Sequence, residues 1–196
     1  MLNEATRLPG LLQEYDGLVK LYRTTGADAV ERLQEQFLGV IDDLENWERL
    51  SASRASFELF YPKPSPSPSD GNLIWFPNMT VASSLTHYWA FKIIAKMHIE
   101  ELDAILAATK TDQQPCRRRS TTGKESVSAL AQRICGSMSF FLEPEMKLYG
   151  PASTFFTFRT AMHVFQSEPY RCEAGLEQCQ KIIARMASMG VHFSSL

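Results

Sequence analysis

Between Asp28 and Trp47 the chain places large apolar residues at Val30, Leu33, Phe37, Val40, Leu44 and Trp47, a 3-4-3-4-3 spacing. An α-helix turns once every ~3.6 residues, so this series falls in one stripe along one side of a helix, and an extended strand cannot hold it on one face. Glu31, Arg32, Gln34, Glu35, Asp42, Asp43 and Glu45 fall on the other faces. Asp28, with Glu31 three residues later, has the form of an N-cap and its capping-box partner. The stripe reads either as a core face within the chain or as a seam that a partner helix covers. Fewer than three heptads do not by themselves specify a coiled coil.

Helical spacing recurs along the rest of the chain. Pro9 opens a helix carrying Leu11, Leu12, Tyr15, Leu18, Val19 and Tyr22, and Gly26 closes it, which predicts a helical hairpin from Pro9 to about Leu50. From Pro77 to about Ala108 no breaker interrupts, and apolar residues including Val81, Leu85, Trp89, Ile93, Met97 and Leu102 go almost all the way round. A helix apolar on several faces is normally central, so this one is expected to form the core. The sequon at Asn78 reads most simply as its first turn. Thr122 and Glu125 offer a second capping box ahead of Val127, Leu130, Ile134, Met138 and Phe141, with Pro144 as the interruption. Gly150-Pro151 starts a helix with Phe155, Phe158, Met162 and Phe165, broken at Glu168-Pro169. A last helix runs from Cys172 through Cys179 and Met186 to a Gly190 C-cap, with Val191 and Phe193 folding back over its end.

Two stretches read as loops. Pro62, Pro64, Pro66 and Pro68 alternate with Lys63, Ser65, Ser67 and Ser69, which excludes helix and predicts an extended Pro/Ser-rich loop over 61–72. Residues 109–122 are polar and carry Arg117, Arg118 and Arg119, a compact basic run. No alternating strand stands out. The expectation is an all-α helical bundle of about six to seven helices, forming a single domain over 1–196.

Composition bounds the function. The 196 residues are 44% hydrophobic and 21% charged, with a formal net charge of -2. That suits a folded globule and gives no general attraction to phosphate backbones, so direct DNA binding is not expected. No apolar run is long enough for a membrane span and no secretory signal is visible, so the nucleus or cytoplasm is the expected compartment. Cys116, Cys135, Cys172 and Cys179 are dispersed, without the paired spacing zinc needs, and read as reduced thiols. No metal and no cofactor is called for.

Catalytic signatures are also missing: there is no nucleophile elbow, no H-E-x-x-H, no P-loop and no G-x-G-x-x-G. The titratable residues that an enzyme would use here are His87, His98, Glu101, Arg159 and His163. His87 and His98 are three turns apart on the central helix. Glu101 is placed for an imidazole–carboxylate contact with His98, and Arg159 and His163 are four apart on another helix. Each reads equally as a polar residue at a helix surface. With 12 Phe and 8 Met, the chain could also line an apolar pocket, for which Trp89, Phe155, Phe158 and Met162 are the candidates.

Phe76 to Leu102 and Ala129 to Phe165, with the tail Gln180 to Phe193, resemble the regulatory domain of fungal zinc-cluster transcription factors. The resemblance rests on Asn78, Ala82, His87, Trp89, Ile134-Cys135, Pro151, Phe158 with Arg159-Thr160-Ala161, and Met189-Gly190. It extends from about Leu8 to Leu196. It implies a helical domain that modulates transcription in the nucleus, for example in secondary metabolism, through a protein partner such as a full-length transcription factor or through a small apolar effector. Four dispersed cysteines cannot build the family's six-cysteine DNA-reading module, so the resemblance is to the regulatory part alone. A metabolite-binding bundle that catalyses a cofactor-free rearrangement and a dimerisation module are the alternatives.

Overall fold

The computed structural model describes residues 2–20, 26–64, 73–109 and 125–192. Helices α1 (Leu2–Ala5), α2 (Leu8–Lys20) and α3 (Ala27–Arg54) come first. Strands β1 (Tyr61–Lys63) and β2 (Leu73–Trp75) precede the long α4 (Met79–Thr109). Then follow α5 (Val127–Phe141), a 3-10 turn (Pro144–Met146), α6 (Tyr149–Gln166) and α7 (Glu173–Ser188). The architecture is the expected all-α bundle with one short hairpin added.

The chain forms two compact units, one from Met1–Ser51 with Ile94–Lys124 and one from Ala52–Ile93 with Glu125–Leu196. In the first, Val30, Leu33, Phe37, Val40 and Leu44 of the α3 stripe are buried, and Trp47 is half-buried. The stripe is therefore core, and the reading of it as an exposed seam for a partner or for dimerisation is corrected. Fully burying one such side chain contributes about 1.5–3 kcal/mol, and leaving five in water would forfeit that. Asp28 lies inside the first turn of α3 instead of ahead of it. Tyr22 lies outside the described residues.

In the second unit the caps are local and well defined. The Asn78 side chain accepts the Val81 N–H at 3.0 Å, so the sequon asparagine is the N-cap of α4. Ser126 caps α5, its hydroxyl accepting the Ala129 N–H at 3.1 Å. Glu125 pairs instead with Arg133 at 2.6 Å, and Thr122 lies outside the described residues. At the end of α7 the Gly190 N–H donates to Ala187 and the Val191 N–H to Met186, both at 3.0 Å. This is the Schellman arrangement, with Gly190 at φ 79. Phe193 lies outside the described residues.

The hairpin departs from the expected loop. β1 and β2 pair antiparallel, with Tyr61 opposite Trp75, Pro62 opposite Ile74 and Lys63 opposite Leu73. Leu73 and Ile74 are buried, and β2 packs on α5. Proline is tolerated because a two-stranded ribbon has only edge strands. The rest of the Pro/Ser-rich segment, and Arg117 to Arg119, lie outside the described residues.

Candidate functional site

Helix α4 is buried on most sides, as its sequence predicts. Leu85, Tyr88, Trp89, Ile93, Ile99 and Leu102 are all at most 1% exposed. Trp89 sits in an aromatic box. Phe60 meets it edge-on at 5.7 Å, Phe76 lies at 6.2 Å, and the Arg133 guanidinium stands 5.8 Å from its ring and 5.3 Å from that of Phe60. Glu125 holds Arg133 in place. Among the described residues the buried Trp89 indole N–H has no hydrogen-bond acceptor, a group that costs about 1–3 kcal/mol when left unpaired.

Two lysines on α4 that the sequence reading did not single out are buried. Lys92 donates to the Tyr88 hydroxyl at 3.1 Å and lies 5.2 Å from its ring centre; Lys96 is buried one turn further on. Their spacing of four inside an otherwise apolar helix was the available signal. Burial pushes the Glu100 carboxyl above its ordinary value, an effect that Lys96 opposes and Asp103 reinforces.

In the first unit, His98 is half-buried. Its Nδ1 lies 2.8 Å from the Ile94 carbonyl, its ring stacks on Phe37 at 5.4 Å, and the Tyr15 ring meets it edge-on at 4.6 Å. The Glu101 carboxylate accepts from the Tyr15 hydroxyl at 2.7 Å. Tyrosine 15, which the sequence offered only as a helix-face residue, is thus what joins His98 and Glu101. Burial, followed by the hydrogen bond to Glu101, pushes the Tyr15 hydroxyl above its ordinary value.

In the second unit, His87 has its Nδ1 2.8 Å from the Ser83 carbonyl and its ring stacked on Phe156 at 5.7 Å. Phe91 lies 5.6 Å from Phe156 and 6.2 Å from His87. Arg159 and His163 are exposed on α6, and the Ser167 hydroxyl lies 3.4 Å from His163 Nε2. Among the pocket candidates, Trp89 and Phe158 are fully buried, Met162 is half-buried and Phe155 is partly exposed.

The feature that the sequence did not single out is the outer side of α6. Leu148 is 69% exposed and Tyr149 83%, and Phe155 and Phe156 are exposed as well. Positions seven apart return to the same side of a helix, so the N-cap Leu148 aligns with Phe155 and Tyr149 with Phe156 over the first two turns, and the exposed Arg159 and His163 continue that side. His87 and Phe91 of α4 extend it through their ring contacts with Phe156. Among the described residues, no helix is long and apolar enough to cross a membrane and no cluster of side chains is suited to a metal.

No family model, no curated protein and no solved structure matches this chain.

Proposed function

We propose that this chain is a helical regulatory domain, of the kind attached to fungal zinc-cluster transcription factors, and that it acts by docking a protein partner on the aromatic face of α6. The observation that carries this reading is the cluster of Leu148, Tyr149, Phe155 and Phe156, exposed together on one side of a helix. Aromatic side chains are enriched at the centres of protein interfaces, where they bury large area at low entropy cost, and exposed apolar clusters mark such sites. The partner is a protein with a complementary apolar surface; a net charge of -2 gives the chain no general pull toward nucleic acid. The fold supports this reading by presenting the cluster on a helix, with His87 stacked behind Phe156.

The test is a transcriptional reporter. The chain is fused to an unrelated DNA-binding module, and the parent is compared with a Leu148→Glu, Tyr149→Glu variant. Both positions are mostly exposed, so the variant should keep its circular dichroism and melting temperature. The parent fusion is expected to change reporter output and the variant to lose that change. A fusion without effect, or a variant as active as the parent, rejects the proposal.

A small-molecule reading has one observation in its favour, the buried indole N–H of Trp89 beside Arg133. An apolar effector with a carbonyl or ether oxygen would satisfy that donor.

A further inference from the structure

The sequence holds no closely spaced cysteine pair of the kind that binds zinc, yet the packing of α5 against α7 brings two of the four cysteines together. Cys135 Sγ lies 3.8 Å from Cys179 Sγ, across 44 residues of chain, and both side chains are buried. We propose that Cys135 and Cys179 form a reversible redox latch, joined as a disulfide on exposure to peroxide, that ties α7 to the rest of its unit.

The geometry is close to what the bond requires. A disulfide holds its sulfurs at about 2.04 Å, so the pair must approach by about 1.8 Å for the bond to form. The thiols are already in hydrogen-bond contact. Either thiol can donate to the other, and a thiolate formed on one sulfur is held by the S–H of its neighbour. The location gives the bond a purpose. Helix α7 buries only Gly175, Cys179 and Met186, fewer side chains than either α5 or α6. A helix with so little buried area opens more readily than its neighbours, and a small uncharged oxidant reaches the pair through that opening.

The chemistry balances with one hydrogen peroxide. The thiolate of one cysteine attacks a peroxide oxygen, the O–O bond breaks, and the hydroxide released takes up the thiol proton as water. The sulfur of the other then attacks the sulfenic acid, forming the S–S bond and expelling the oxygen as a second water. The two thiols lose two electrons and two protons, and the peroxide is reduced to two waters. A dithiol reductant reverses the bond.

The experiment treats the full chain with hydrogen peroxide, blocks the remaining thiols with iodoacetamide and maps the peptides by mass spectrometry, with thermal melting in parallel. The expected product is the Cys135 peptide joined to the Cys179 peptide. The melting temperature should rise by roughly 5–10 °C and return to its starting value with dithiothreitol. Cys179→Ser should give no such product and a melting temperature indifferent to peroxide. Should that variant fail to fold, the map of the unsubstituted chain decides alone. Recovery of Cys135 and Cys179 as free thiols or as sulfinic acids overturns the proposal. So does a bond through Cys172 or Cys116 in its place, or the expected bond without a change in melting.

Discussion

Gly175 of α7 lies directly on the ring of Phe165 in α6: a β-carbon added at Gly175 would stand 2.7 Å from the ring carbons. Phe165 is fully buried and has nowhere to retreat. Gly175→Ala should therefore push α7 off α6 and destabilise the protein by about 1–3 kcal/mol, the usual cost of overpacking, even though alanine favours helix by up to about 1 kcal/mol. Urea denaturation measures it, and an Ala variant as stable as the parent would show that the helices part easily.

Trp89 separates packing from polarity at one site. Trp89→Ala removes a fully buried indole from the box formed with Phe60, Phe76 and Arg133, and should cost about 3–5 kcal/mol. Trp89→Phe keeps an aromatic ring there and deletes the unpaired N–H, so it should cost less than about 1.5 kcal/mol. Comparable losses in the two variants would mean that the indole N–H has a partner in solution.

The α3 stripe gives the sharpest fold test. Phe37 and Leu44 are fully buried, so Phe37→Asp with Leu44→Asp places two carboxylates where water does not reach them. The doubly substituted chain should lose its far-UV helical signal. Retention of a folded monomer would return the stripe to the role of an interface.

Tyr15 makes stability fall at high pH. Its hydroxyl is held above its ordinary value by burial first and then by the hydrogen bond to Glu101. The folded state therefore keeps the proton after the unfolded chain has released it. The stabilisation is fully present below about pH 10, the ordinary tyrosine value, and is lost as pH rises through the higher folded value. Tyr15→Phe should flatten the decline in melting temperature above about pH 10 relative to the parent; parallel curves would show that Tyr15 titrates normally.

Among the described residues, Gly190 is the glycine with a positive φ. At φ 79 it ends α7 in the left-handed region, where a β-carbon is strained. Gly190→Ala should cost about 1 kcal/mol, and Gly190→Asn less, because asparagine tolerates that region better. Equal melting temperatures for the three proteins would show that the cap contributes little.

The sequence by itself determined what rests on neighbours three and four residues apart. The core stripe of α3, the all-round apolar α4, the interruption at Pro144 and the glycine cap at Gly190 are all legible because helix geometry ties spacing to face. The tertiary structure decided what depends on residues distant in sequence. The strands Tyr61–Lys63 and Leu73–Trp75 are too short to show alternation and carry a proline, and they pair where Leu73 and Ile74 are buried as β2 packs on α5. Tyr15 reaches Glu101 across 86 residues and Cys135 meets Cys179 across 44. Which side of α6 stays in water, with Tyr149 and Phe156 exposed and Phe158 buried, follows from the helices that happen to cover it. Local periodicity fixes which residues share a face, but the choice of the face that is covered, and of the side chains that meet there, belongs to the crossing of helices, which no spacing within a single segment encodes.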